Sequence, residues 1–376
     1  MAVEQQEFLT GTEAVRFFGR TDAGVQPGRV YFNWSGSGFS FSFTGTAAYA
    51  RLHTASEGER PFPEPERQAW IGVYADGGEE AVARFPLDRP DGWYTLVQGL
   101  PAGRHTLRVV KHTECGYGRA ALSALKTVGT RGPQPTRPYA RRLEFIGDSI
   151  TCGYGNICTT ASPAFITKEE DASRTYASFL GRLLGAEISC VCASGNGIFH
   201  DYGCGTHNLM PELYRYTDTM LAGHLGAEPT PWDFSRFVPH LIGIKLGAND
   251  SRYCDGWDLP DEAARTAALK KERRQAFSQR LLAFLDEVAD KNPGVPLLYI
   301  TDTDTILLDT ILETLQTWKT ARPRESLTSV TLDSKRPWEG EGANGHWSAA
   351  THRRAALVLE PIIRDICGWP REAVPE

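Results

Sequence analysis

The run Phe145-Ile146-Gly147-Asp148-Ser149-Ile150-Thr151-Cys152-Gly153-Tyr154-Gly155 sets a serine hydroxyl at the end of a short apolar segment, inside a glycine-rich turn. A doubly wound α/β sheet presents its chemistry just beyond the carboxyl ends of such strands, so Ser149 is a candidate nucleophile. Gly-Asp-Ser alone is also an ordinary turn, because all three residues are turn formers. Two later segments repeat the grammar. Ile188 to Val191 runs into Ala193-Ser194-Gly195-Asn196-Gly197, and Leu241 to Leu246 runs into Gly247-Ala248-Asn249-Asp250. Far downstream, Gly345-His346-Trp347-Ser348 opens a helix whose apolar positions Ala356, Leu359, Ile363 and Ile366 recur at three- and four-residue spacing.

Brought to one crevice, these groups can perform acyl transfer. The serine needs a base, since its hydroxyl is a poor nucleophile at neutral pH, and a histidine titrating near the working pH is the usual one. A tetrahedral intermediate needs donors for its oxyanion. The backbone N–H groups of Ser149 and Gly195 and the side-chain amide of Asn249 can supply three. His352, six residues past His346, falls inside the helix and reads as a packing residue rather than a base. Asp148 and Asp250 flank the proposed groups and read as braces for their loops.

The set Gly147-Asp148-Ser149, Gly195, Asn249 and His346 resembles the four blocks of the SGNH (GDSL) hydrolases, and no Gly-x-Ser-x-Gly elbow of the α/β-hydrolase kind surrounds Ser149. Ahead of it, Gly28-Arg29-Val30-Tyr31-Phe32-Asn33-Trp34-Ser35-Gly36-Ser37-Gly38-Phe39-Ser40-Phe41 resembles the leading strands of carbohydrate esterase family 2. Leu100 to Leu107 and Lys111-His112-Thr113-Glu114 extend that likeness. The resemblance implies a jelly-roll before an SGNH domain, and deacetylation of acetylated xylan or mannan with no metal or organic cofactor. Two other readings stay open: a carbohydrate-binding protein with secondary esterase activity, and an SGNH lipase or small-ester hydrolase.

The chain departs from the family pattern around the histidine. The usual form is Asp-x-x-His-Pro, but Ala343 stands three residues before His346, so that position offers no acid. The resemblance admits Ser–His dyads in which a backbone carbonyl replaces the acid, and this is the expectation here. Glu341 is the candidate substitute and Asn344 a weaker one, since an orienting partner must hold Nδ1–H. Trp347 takes the place of the proline, and Gly345 the place of a frequent tryptophan. Trp347, with Tyr253 and Trp257 in the loop after Asn249, is a candidate for stacking on sugar rings.

The elements that must position these residues divide the chain in two. Phe39, Phe41 and Phe43 alternate with Ser40, Ser42 and Thr44, the pattern of a strand with one buried face. Ala75-Asp76-Gly77-Gly78 signals a hairpin, and Trp93–Val97 and Thr106–Val110 read as strands. Residues 1–132 are therefore expected to form a β-sandwich of jelly-roll type. The polar stretch Gly129 to Pro138 carries three prolines and no hydrophobic period, which places a linker at 133–140. Over 141–376, strands alternate with helices, including a long charged helix from Asp261 to Asp290, and predict a three-layer α/β/α domain with a parallel sheet. Within that helix, Lys270-Lys271-Glu272-Arg273-Arg274 reads as a solvated face.

A net charge of -6, without a basic aromatic-laced patch, argues against nucleic acid as partner. No run is long and apolar enough for a membrane span. Met1 to Glu7 shows neither a charged nor an apolar leader pattern. With no zinc-like cysteine spacing, this predicts a reduced, cytoplasmic enzyme acting on imported oligosaccharides, or a secreted one if a leader has been removed. The acetylated position and the oligomeric state have no signature in the chain.

Overall fold

The computed structural model describes residues 6–54, 64–160 and 164–370; the amino-terminal Met1 to Gln5 of the leader reading lies outside them. The first half is antiparallel: β1 (Gln6–Thr10), β2 (Arg16–Phe18), β3 (Val30–Tyr31), β4 (Gly38–His53), β5 (Trp70–Ala75), β6 (Ala83–Pro86), β7 (Asp91–Lys111) and β8 (Ala121–Pro135). Their order is β1-β8-β4-β7-β5-β6, with β2 on β4 and β3 on β8. The long strands wrap one core because β4 bends. Its register with β7 slips between Gly45 and Ala47, and a slip by an odd number of residues swaps the face that points inward. Phe39, Phe41 and Phe43 enter the core before the shift, and Ala48, Ala50 and Leu52 after it. A Cβ on Gly45 would lie 2.1 Å from the Val128 carbonyl oxygen, so the bend needs glycine there.

Two expectations for this half change. The serine face of β4 is covered as well, with Ser40 and Ser42 both buried; Ser40 Oγ lies 2.6 Å from Thr136 Oγ1. Polar residues there meet the connection between domains, not water. The linker segment is partly strand: β8 runs through Pro135, with Gln134 opposite Ser42 and Pro135 opposite Phe41. Its prolines are tolerated because Pro133 falls at a register shift and Pro135 ends the strand. Only Thr136 to Ala140 then separates the two sheets.

The second half builds a parallel sheet of β9 (Arg141–Gly147), β10 (Ala186–Cys192), β11 (Leu241–Lys245), β12 (Leu297–Asp302) and β13 (Leu327–Leu332), in the order β10-β9-β11-β12-β13. The helices are α1 (Ser149–Cys152), α2 (Tyr176–Leu184), α3 (Met210–Arg215), α4 (Thr219–His224), α5 (Asp250–Cys254), α6 (Ala267–Lys291), α7 (Leu308–Ala321) and α8 (Ala349–Cys367). Successive strand residues point to opposite cores. Leu143 and Phe145 pack with α2 and α8, and Ile146 packs with α3, α6 and α7. That is the three-layer arrangement a parallel sheet requires, since both of its faces must be covered. Chain order reverses between β9 and β10 on one side and β11 on the other, the switch point at which open α/β sheets form clefts.

The long helix starts later than its charge pattern predicts. Thr266 Oγ1 accepts the Leu269 N–H at 3.2 Å and caps α6, while Asp261 caps a separate short turn. Part of the basic cluster is not a free solvated face. Arg273 pairs with Asp258 and donates to the Tyr253 carbonyl at 2.7 Å, and Arg274 pairs with Asp255. Both tie down the loop that follows α5. All eight cysteines are free thiols. Among the described residues no helix is long and apolar enough to cross a membrane.

Candidate active site

The serine is set by the end of β9. Asp148 caps α1, its Oδ1 accepting the Ile150 N–H at 3.1 Å, and Ser149 is the first helical residue. The histidine arrives on a tight turn, Ala343–Gly345, in which Asn344 takes a left-handed φ of 51°. The two loops interlock. The Ala343 N–H donates to the Gly155 carbonyl at 3.1 Å, and a Cβ on Gly155 would fall 2.2 Å from that of Ala343. Residue 343 is thus fully buried against glycine, with no room for the acid its position carries elsewhere.

His346 Nε2 lies 2.9 Å from Ser149 Oγ, and Nδ1 lies 2.8 Å from the Ala343 carbonyl oxygen. A carbonyl only accepts, so Nδ1 carries the proton and Nε2 presents its lone pair to the serine hydroxyl. Burial pulls the imidazole below its ordinary 6.5, more than the Ala343 carbonyl and nearby Asp148 raise it. Asp148 is itself pushed up by burial, which outweighs the pull of Lys245. Lys245 forms a buried 2.6 Å pair with Asp302. Burial works against its charge, yet Asp302 and Asp148 together hold it above the ordinary lysine value.

The remaining blocks meet the same place. Asn249 Nδ2 donates to the Asn196 carbonyl at 2.9 Å and stands 3.5 Å from Asp148 Oδ2, which joins the loop of Gly195 to that of Ser149. Asp250 accepts the N–H groups of Ile198, Phe199 and His200 at 3.1, 2.7 and 3.0 Å. Burial raises its pKa to about 6 against those bonds. The bracing read for Asp250 is therefore a set of backbone hydrogen bonds. His352 is buried in α8, where its Nδ1 accepts the Tyr176 N–H at 3.2 Å.

Glu341 does not orient the imidazole. Its carboxylate is taken by Lys335 at 3.1 Å, and Nδ1 already has its partner in Ala343. Asn344 turns away to donate to Tyr154 Oη at 3.3 Å. Trp347 is no sugar platform either. It is 5% exposed and packs in the α2–α8 core, with Lys245 Nζ 4.9 Å from its ring. The backbone runs extended from His346 into Ser348, the cap of α8, which sends adjacent side chains opposite ways, one to the cleft and one to the core. Tyr253 is sandwiched, its ring 3.4 Å from His200 and 4.0 Å from the Arg273 guanidinium. Trp257 remains open to solvent at 54%.

Several residues at the site were assigned no role from the sequence. Tyr154, within the nucleophile run, has its ring 4.6 Å from His346 and 3.9 Å from Phe165. Tyr117 of the first domain follows at 4.9 Å from Phe165, so an aromatic column runs from the jelly-roll to the His346 imidazole. On the side of Gly195, Tyr202 donates its N–H to the Gly195 carbonyl at 2.7 Å. The Arg252 guanidinium spans from the Tyr202 ring to that of Trp257, at 4.2 and 5.0 Å. Finally, Glu114 reaches across from the first domain and accepts the Ser194 N–H at 2.6 Å, one residue before Gly195.

A serine held by a histidine at the switch point of a five-stranded parallel sheet, outside any nucleophile elbow, defines the class as a serine hydrolase of the SGNH type. Residues 17–135 match the family described as Carbohydrate esterase 2 N-terminal, and residues 145–354 match the GDSL-like Lipase/Acylhydrolase family. The chain belongs to the GDSL-like lipase/acylhydrolases, carboxylic ester hydrolases, in the two-domain form of the family 2 carbohydrate esterases. It is 33% identical over 181 residues to Cellulase/esterase CelE of Acetivibrio thermocellus, a stretch covering 48% of this chain but only 21% of that protein. It is 25% identical to an Acetylxylan esterase / glucomannan deacetylase of Cellvibrio japonicus, over 80% of this chain and 77% of the relative. A family two carbohydrate esterase from Clostridium thermocellum, solved in complex with cellohexaose, superposes with a TM-score of 0.77 at 25% identity, over 95% of this chain and all of that one.

Proposed function

We propose that this protein is a carbohydrate O-acetyl esterase that removes acetyl groups from acetylated plant polysaccharides or oligosaccharides, of the mannan or xylan class, through a Ser–His dyad. The observation that carries the reading is the relay from the Ala343 carbonyl through His346 to Ser149 Oγ. Ser149 attacks the acetyl carbonyl while Nε2 takes its proton. Nε2 then gives that proton to the departing sugar hydroxyl, and water clears the acetyl-enzyme by the same route. The N–H groups of Ser149 and Gly195 hold the oxyanion with the Asn249 side-chain N–H that does not serve the Asn196 carbonyl, whose acceptor among the described residues is Asp148 at 3.5 Å, the limit of a hydrogen bond. The acetylxylan and glucomannan activities named for the Cellvibrio relative support the choice of glycan, as does the aromatic column beside His346.

The deciding experiment is acetate release from acetylated mannan and xylan oligosaccharides, with NMR mapping of the products, for the wild type and Ser149→Ala. Release that vanishes in the variant supports the reading. No release, with an aryl acetate still cleaved, moves the assignment to a non-glycan ester.

Two further results are expected. The neutral imidazole is the working form and its pKa sits below 6.5, so kcat/KM on an aryl acetate should fall only as pH drops below that value. A limb centred above pH 7 would contradict it. Trp257→Ala should raise KM for acetylated oligosaccharides up to about tenfold, the ~1.4 kcal/mol of one aromatic contact, and leave aryl-acetate kinetics unchanged. Equal effects on both substrates would remove Trp257 from the sugar path.

A further inference from the structure

We propose that the cleft between the two domains is a second binding site, for a glycan that carries a carboxylate on a sugar ring. The cleft encloses about 570 Å³, within the roughly 300–1,000 Å³ typical of small-ligand sites. It opens at the amino end of β10, beside Ala186, Glu187 and Ile188. Ser149, Gly195 and Asn249 all follow the carboxyl ends of their strands, so the cleft is separate from the catalytic pair.

Its charge is what calls for a ligand. Arg108 of β7 and Arg182 of α2 both line it. Neither is ion-paired with a carboxylate among the described residues. The acidic groups nearby are engaged elsewhere: Glu187 holds Arg16, Glu80 holds Arg174, and Asp171 faces His112 and Arg174. Glu79, exposed at the rim, attracts Arg182 without forming an ion pair with it. The Arg108 guanidinium lies 4.3 Å from the Phe18 ring. That of Arg182 lies 4.6 Å from the Phe179 ring and donates to the Ser173 carbonyl at 2.9 Å. Burial is the largest influence on both and disfavours their charge, more than Glu187 near Arg108 and Glu79 and Asp171 near Arg182 favour it, and Arg182 adds repulsion to Arg108.

Two half-buried like charges lining one cleft are relieved by an anion bound there. The guanidinium fork matches a carboxylate in plane and spacing, which favours a carboxylate as that anion. Tyr139, 44% exposed, stands at the rim with the Arg16 guanidinium 5.7 Å from its ring, and presents a flat aromatic face to a pyranose. The whole chain is acidic at -6, so this local positive excess is not a reflection of composition. Taking a sugar as the carrier of the carboxylate rests on the glycan-esterase reading above. Capture here tethers an acidic polymer without touching the catalytic serine.

The test is calorimetric titration of the full chain with a deacetylated, glucuronic-acid-bearing xylo-oligosaccharide, with its neutral counterpart of equal length, and with sulfate. The acidic ligand is expected to bind at least tenfold more tightly than the neutral one. Arg108→Gln and Arg182→Gln should each weaken it at least tenfold, with aryl-acetate hydrolysis as in the wild type. Should either variant lose that hydrolysis through misfolding, Tyr139→Ala at the exposed rim replaces it, with a weakening of about fivefold expected. Equal affinity for acidic and neutral ligands, or unchanged affinity in the variants, would overturn the proposal. Sulfate bound more tightly than the uronate would mark a free-oxyanion site and overturn the sugar assignment. Binding is read without turnover, so a failure here is distinct from a failure to release acetate.

Discussion

Alanine at Ser149 or at His346 is expected to lower kcat on an aryl acetate by about 10⁴–10⁶, with the double variant little worse than either single one. The two side chains act as one unit. Without the imidazole the hydroxyl keeps its proton, and without the hydroxyl the imidazole has nothing to activate. Residual turnover would come from the oxyanion donors and binding alone. The informative control is Glu341→Gln, for which kcat within about twofold of wild type is expected. Its carboxylate belongs to Lys335 at 3.1 Å, and the Nδ1 proton goes to the Ala343 carbonyl at 2.8 Å. A loss of three orders of magnitude in Glu341→Gln, with circular dichroism and melting unchanged, would sink the dyad and restore an acid. A backbone carbonyl can stand in because the orienting task is mainly geometric: it fixes the tautomer and the ring plane. The carbonyl brings no full charge to stabilise the imidazolium. That agrees with an imidazole pKa held below, not above, its ordinary value.

The site was legible where chemistry and strand punctuation coincide. Ser149, Gly195 and Asn249 each follow a buried parallel strand, and three- and four-residue apolar spacing marks α8 just after His346. Trp347 was misplaced because an aromatic next to a catalytic residue looks functional in one dimension. In an extended segment its neighbour's direction is not its own, and it fell into the core. Tyr117 and Phe165 gave no signal, and Glu114 stood out only within the family likeness, without a role, because all three reach the site from segments with no regular period, two of them in the other domain. Contacts between distant segments are set by tertiary packing, which local pattern does not encode. Strand β13, Leu327 to Leu332, and helix α7 also went unread. A parallel edge strand pairs on only one side, and its short alternating run competes with the turn-rich segments around it.

Glu114 is where the jelly-roll holds the loop of Gly195, and Glu114→Ala is expected to lower kcat about 10²-fold with KM changed less than about threefold. The carboxylate is 2% exposed and holds the Ser194 N–H at 2.6 Å. The Cys152 thiol lies 3.6 Å from the same oxygen, behind α1. Burial raises the Glu114 pKa more than these bonds lower it. The residue is anchored in turn, its own N–H donating to Glu170 at 3.3 Å and its carbonyl accepting from Lys111 at 2.7 Å. The next amide along the loop is that of Gly195, one of the proposed oxyanion donors. Removing the carboxylate leaves the half-buried Ser194 N–H without this acceptor, a loss of up to about 1–3 kcal/mol in stability. It also frees the amide beside it, and losing one oxyanion donor costs about 10²–10³ in rate. Glu114→Gln keeps an acceptor oxygen in place, so kcat within about tenfold of wild type is expected from it. A purely structural role would lower the melting temperature in both variants while sparing kcat below the transition. If Glu114→Ala retains kcat within twofold at 25 °C, the bonds from Asp250 to Ile198, Phe199 and His200 hold the loop unaided, and the first domain has no part in catalysis.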